Sequence, residues 1–130
     1  MRRGLVLVFL GVFLGACMAT NPYAPVPKEL ALKVRVFEDV VRWGDLRKMY
    51  LFAKPGSQVT LPAGLEKVRV NAYEAGAMRE LDPWRWEQTA EIEYVLSDTQ
   101  VVKRVADRQV WVSDDEGVSW YRSNPPPVFR

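Results

Sequence analysis

The chain has 130 residues, 48% of them hydrophobic and 26% charged, with 18 basic and 16 acidic side chains, no histidine and one cysteine. That length and composition suit one globular domain; a single cysteine excludes an internal disulfide, and the lack of histidine excludes Ser-His and Cys-His catalytic pairs and the commonest metal ligand. No Lys/Arg run exceeds two residues, so the basic footprint of a phosphate-backbone binder is missing and no nucleic-acid partner is expected.

Met1-Arg2-Arg3 forms a short positive segment, and Leu5 to Leu14 is apolar apart from Gly11. This run fits the apolar region of a signal peptide and falls short of the ~20 residues that span a bilayer. The Arg residues hold the N-terminus on the cytoplasmic side. Gly15-Ala16 supplies the small residues a signal peptidase needs before its cut.

Leu14-Gly15-Ala16-Cys17 resembles the lipobox of bacterial lipoproteins. The resemblance implies a diacylglyceryl thioether on Cys17, cleavage between Ala16 and Cys17, and acylation of the freed amine. Two or more acyl chains anchor stably where one does not. Met18 follows Cys17 where Gram-negative lipoproteins retained in the inner membrane carry Asp. The resemblance therefore implies an outer-membrane location facing the periplasm. Loss of residues 1–16 would leave 114 residues with 16 basic and 16 acidic side chains. The pI of 8.8 then says little about partners.

Residues 17–27 read as the lipidated Cys and a Pro-rich tether, because Pro22, Pro25 and Pro27 forbid helix and favour extended polyproline geometry. The alternative is that this segment packs on the domain. Residues 28–122 read as the domain. From Lys28 to Trp43, Leu30, Val34, Phe37 and Val41 form one helical stripe, with Leu32, Val36, Val40 and Trp43 beside it. Together they predict a wide apolar face lying on a sheet. Leu32 to Val36 also alternates like a strand, but the helical period runs for four turns.

Gly44 stops this helix, Asp45 is placed to N-cap a short one over Leu46 to Ala53, and Pro55-Gly56 ends that. Residues 57–65 read as loop. A strand from Val68 weakens at Tyr73 to Gly76, which suggests a bulge, and Asp82-Pro83 marks a turn. From Trp84 to Leu96, Trp84, Trp86, Gln88, Ala90, Ile92, Tyr94 and Leu96 share one face of a strand. Ser97-Asp98 turns the chain, Val101 to Val112 is a strand of mixed polarity, Asp114 to Gly117 a hairpin turn, and Val118 to Arg122 a closing strand. Residues 123–130 form a Pro-rich tail. It is either a docking segment or a stiff cover with Phe129 as a plug.

Helix, short helix and four antiparallel strands place the domain in the α+β class, with the helices packed on one face of a curled sheet. Phe37 to Asp45, Asp98 to Val102 and Asp107 to Trp111 resemble segments of the nuclear transport factor 2 superfamily, whose fold is a cystatin-like roll. The resemblance implies a cone-shaped pocket between the long helix and the sheet. It does not choose a function, because members include isomerases, cyclases and binding domains. A steroid isomerase uses an Asp base with Tyr and neutral Asp donors in an apolar cavity. Tyr73, Glu74, Tyr94 and Asp107 are residues of those types on strands, but none lies in a matching motif, so no catalytic residue is assigned.

Trp84, Trp86, Tyr94 and Trp111 are the ligand or partner candidates. They can line a pocket or form a contact surface, or serve as core. Glu87, Glu91 and Glu93 alternate along one strand face, the usual pattern of a solvated surface facing Lys and Arg. No metal and no cofactor are expected. The expected function is a lipid-anchored, non-catalytic module of the cell envelope that contacts another envelope protein. The alternatives are a binder of a small apolar molecule or lipid in the cone, and an isomerase- or hydratase-like enzyme.

Overall fold

A computed structural model describes residues 24–130; the expected leader, the Ala16–Cys17 cleavage site and residues 18–23 of the expected tether lie outside the described residues. Ala24 and Val26 pack against the hydrophobic core. This end of the expected spacer is therefore part of the domain.

Helix α1 spans Lys28–Arg42. Its stripe of Leu30, Val34, Phe37 and Val41 is buried. Gly44 ends the helix at φ 76°, with the Asp45 N–H donating to the Val40 carbonyl at 3.1 Å. The next element, Leu46–Phe52, is a 3₁₀ helix and not an α-helix. Asp45 does not cap it with its side chain; the carboxylate pairs with Lys48 at 2.9 Å. Without that cap, the tighter repeat still buries Leu46 and Met49. A further 3₁₀ turn, Leu65–Lys67, leads into the sheet.

The sheet is antiparallel and curled, four strands wide. Strands β1 (Val68–Ala75) and β2 (Arg79–Asp82) lie end to end along one edge of β3 (Arg85–Leu96); β4 (Val102–Val112) and the short β5 (Tyr121–Arg122) complete it. β2 is an addition to the expected strands, because Arg79-Glu80-Leu81-Asp82 has no apolar alternation to reveal it. The β1 irregularity falls between Val70 and Ala72, earlier than expected. At Gly76 the N–H donates to the Thr89 carbonyl at 2.8 Å and the edge passes from β1 to β2.

The strand alternation places Trp86, Gln88, Ala90, Ile92 and Tyr94 of β3 inside. Trp84 precedes the strand, in a turn where its N–H donates to the Asp82 carboxylate at 3.1 Å. Phe37, Phe52 and Trp111 meet edge to face, with centroids 5.1 to 6.1 Å apart, the geometry aromatic quadrupoles favour.

The β4–β5 connection is a broad loop, and the closing strand is only two residues long. The Asp115 carboxylate organises the loop. It accepts from the Ser113 hydroxyl at 2.8 Å and from both the N–H and hydroxyl of Ser119 at 2.8 and 2.5 Å. Those side-chain bonds replace the ladder bonds that a tight hairpin would make. At Gly117 φ is 87°, and a Cβ there would lie 2.8 Å from the Trp84 ring. Gly117→Ala is expected to lower stability by about 2 kcal/mol through left-handed strain and overpacking, measured by denaturant unfolding.

The Ser119 and Ser113 hydrogen bonds hold the Asp115 carboxyl down to about 2, below its value of about 3.9 in an unfolded chain. A lowered folded value means that the group stabilises the fold above about pH 4 and stops doing so as pH falls through about 2. The difference in Tm between the wild type and Asp115→Asn is expected to be largest above pH 4 and to shrink toward pH 2. An unchanging difference across a pH series of melting curves contradicts this.

Candidate functional site

Between α1 and the sheet a buried polar cluster is set within the hydrophobic core. β4 is extended, so Asp107, Gln109 and Trp111 share its inner face; β1 contributes Tyr73 and β5 contributes Arg122. The Trp111 ring N–H donates to Gln109 Oε1 at 3.2 Å. Gln109 Nε2 donates to the Tyr73 hydroxyl oxygen at 2.8 Å and to Asp107 Oδ2 at 3.1 Å. Arg122 grips both Asp107 oxygens, Nη1 to Oδ2 at 2.9 Å and Nη2 to Oδ1 at 2.5 Å.

The ion-paired side chains are 2% and 1% exposed, so water does not screen the pair. The other Arg122 bonds go to main-chain oxygens of Asn124 at 3.1 Å, Pro125 at 3.1 Å and Arg108 at 3.3 Å. The guanidinium also lies 5.3 Å from the Phe37 ring centroid, where the face of the ring favours a cation.

This arrangement has chemical consequences. Burial pushes the Tyr73 hydroxyl up to about 12, so it stays protonated near neutral pH. The Asp107 oxygens face Arg122 and Gln109, whereas a general base needs a free oxygen within reach of a substrate proton. Asp107→Asn leaves the Arg122 charge buried without its counter-charge. The expected loss is about 3 kcal/mol, measured by urea unfolding. A loss below about 1 kcal/mol, the scale of an exposed pair, contradicts the buried-cluster reading.

The four aromatic candidates do not converge. Trp86 and Trp111 are buried cross-strand partners at one end of the β3–β4 ladder. Tyr94 is buried at the other end, edge to face with Phe129 at 5.0 Å, and donates to the Arg130 main-chain oxygen at 2.8 Å. These three are core, because each sits on the inner face of the curl. Trp84 is 42% exposed and stands 6.5 Å from Trp120. The Trp86 ring N–H and Gln88 Oε1 are buried and have no hydrogen-bond partner among the described residues.

The acidic strand face behaves as a solvated one. Glu87 bonds Arg79 and Arg108, and Arg108 chiefly holds its carboxyl below the usual range. Glu91 and Glu93 face Arg104 at 3.7 and 3.4 Å. Among the described residues, no group of three or more His, Cys, Asp or Glu side chains is placed to hold a metal ion.

Two surface features remain. A groove of about 480 Å³ runs between the 3₁₀ helix with its following loop and the chain after β5; Met49, Tyr50, Val59, Arg122, Pro125 and Pro126 help line it. Its only sequence trace is Val59 in a Pro- and Gly-bounded loop, which carries no periodic pattern. The second feature corrects the expected wide helical face. Only the first stripe of α1 is fully covered; in the second, Val40 is half-buried against the core. Leu32 and Val36 are about half exposed, Trp43 is 85% exposed and Leu51 is 77% exposed. The inner stripe occupies the space over the curled sheet, and the 3₁₀ helix brings little beyond Phe52 to the outer one.

Compared with models of protein families, with curated proteins and with solved structures, the chain matches none of them.

Proposed function

We propose that this chain is a lipid-anchored lipoprotein of the bacterial envelope, held at the outer membrane through Cys17 and facing the periplasm, whose domain works by contact and not by catalysis. The filled interior carries the second half of this reading. Phe37, Tyr73, Gln109, Trp111 and Arg122 occupy the place where a roll of the nuclear transport factor 2 type would hold its substrate. An α-helix against a curled antiparallel sheet supports the cystatin-like roll as the finer description of the fold. Proteins with exposed apolar patches rimmed by polar groups use them for binding, and the outer face of α1 is such a patch. Another envelope protein remains the expected partner of the domain, with the groove mouth beside β5 as its contact.

The groove supports a second reading. Its volume of about 480 Å³ lies within the roughly 300–1,000 Å³ of small-molecule sites, and Met49, Val59, Pro125 and Pro126 suit an apolar ligand. That ligand would sit in the groove and not in an internal cone.

Mass spectrometry of protein gently extracted from its own membranes tests both readings. The expected species begins at Cys17, carries the diacylglyceryl and N-acyl masses, and holds no further small molecule. A retained non-covalent mass moves the function to ligand binding. Cys17→Ser is expected to leave uncleaved precursor and abolish fatty-acid labelling; normal labelling of that variant removes the lipoprotein reading.

A further inference from the structure

We infer that the outer face of α1 is a seat for the membrane surface itself, the phospholipid interface to which the domain is held. The inference rests on the proposed lipidation of Cys17 and says where the anchored domain places itself.

Leu32, Val36, Val40 and Trp43 recur at helical spacing, so they form one continuous stripe, and Leu51 and Phe52 extend it sideways. A protruding indole and aliphatic side chains on one helix side match an interfacial helix, with its apolar groups at the headgroup boundary and its ring N–H in water. Lys33, Lys48 and Glu29 border the hollow. Asp45 holds the Lys48 ammonium at 2.9 Å. The long stem of Lys33 can lie along the apolar surface, over the Phe52 ring, while its ammonium reaches phosphate.

Chain length selects the bilayer as occupant. Ala24 and Val26 are fastened to the core, so only residues 18–23 separate Cys17 from the domain. Six residues reach at most about 20 Å when fully extended. A domain of this size has a radius of gyration of about 13 Å, so a lead that short keeps it within about one domain diameter of the headgroups. The chain enters α1 at Lys28, one turn before Leu32 opens the apolar stripe. Because attachment makes the contact intramolecular, weak apolar and electrostatic interactions suffice to populate it.

The test uses the full chain, processed in its own cell, extracted and reconstituted in vesicles of phosphatidylethanolamine and phosphatidylglycerol with brominated acyl chains. Mass spectrometry of the same sample verifies the anchor. The difference in tryptophan emission between wild type and Trp43→Phe reports on Trp43. Bromine is expected to quench that difference signal, and Val36→Glu, a change at a half-exposed position, to relieve the quenching without changing Tm. Anchored protein whose Trp43 is unquenched overturns the inference and leaves the lipoprotein reading standing. If Trp43 is unquenched in these vesicles but shielded from acrylamide in native envelope membranes, a protein covers the face and the inference is again overturned. Absence of the anchor mass removes the lipoprotein reading and this inference with it.

Discussion

The buried pair of Arg122 and Asp107 is the constraint on which the rest of the domain depends. A guanidinium removed from water needs all its N–H groups bonded and its charge balanced. Asp107 balances the charge, and carbonyls of Asn124, Pro125 and Arg108 take further N–H groups. One side chain therefore ties β4 to β5, orients the chain that follows, and presents a cation to Phe37 of α1. Asp107 also locks the strand's facing. A one-residue slip of β4 would turn Asp107, Gln109 and Trp111 outward together.

The Pro-rich segment after β5 follows from the same pair. Pro125, Pro126 and Pro127 cannot donate backbone hydrogen bonds, yet Arg122 needs acceptors, which prolines supply. Before them, Asn124 does with its side chain what a strand does with its backbone. Its carbonyl oxygen accepts from the Val110 N–H at 2.9 Å and its amide donates to the Arg108 carbonyl at 2.6 Å. Farther on, Phe129 packs on Tyr94, and Lys103 donates to the Arg130 main-chain oxygen at 2.7 Å. The outer edge of β4 is thereby covered by a chain that offers few free donors, which guards against edge-to-edge pairing. Of the two expectations for the tail, the stiff cover with Phe129 as a plug is the one its contacts support.

With the interior occupied by mutually bonded side chains, chemistry with the outside falls to the surface. The surface is uneven in a useful way. The convex strand face is laced with Arg–Glu pairs, and charges of both signs so interleaved discourage association. The outer side of α1 and the groove beside β5 are less laced, with the Lys48–Asp45 and Lys54–Asp114 pairs at their borders. Contacts that bury apolar area therefore have two places to form, one near where the chain enters α1 and one where it leaves β5.

Much of the architecture was legible because period reports burial. Leu30, Val34, Phe37 and Val41 marked the buried side of α1, and the alternation from Trp86 to Tyr94 marked the inner face of β3. The expected leader and lipobox lie outside the described residues. Several features were not legible. β4 looked mixed because its buried positions hold Asp107 and Gln109, whose tolerance of the interior depends on Arg122 and Tyr73, residues 15 and 36 positions away along the chain. The 3₁₀ form of Leu46–Phe52, the brevity of β5 and the short β2 turn on local hydrogen bonding, which composition reports poorly. The sequence by itself determined the α+β class and the strand faces, because periodicity acts locally. Tertiary structure decided which aromatic rings are core, that Asp107, Gln109 and Arg122 are buried together and which helical stripe stays largely uncovered, because each depends on what arrives from a distant part of the chain.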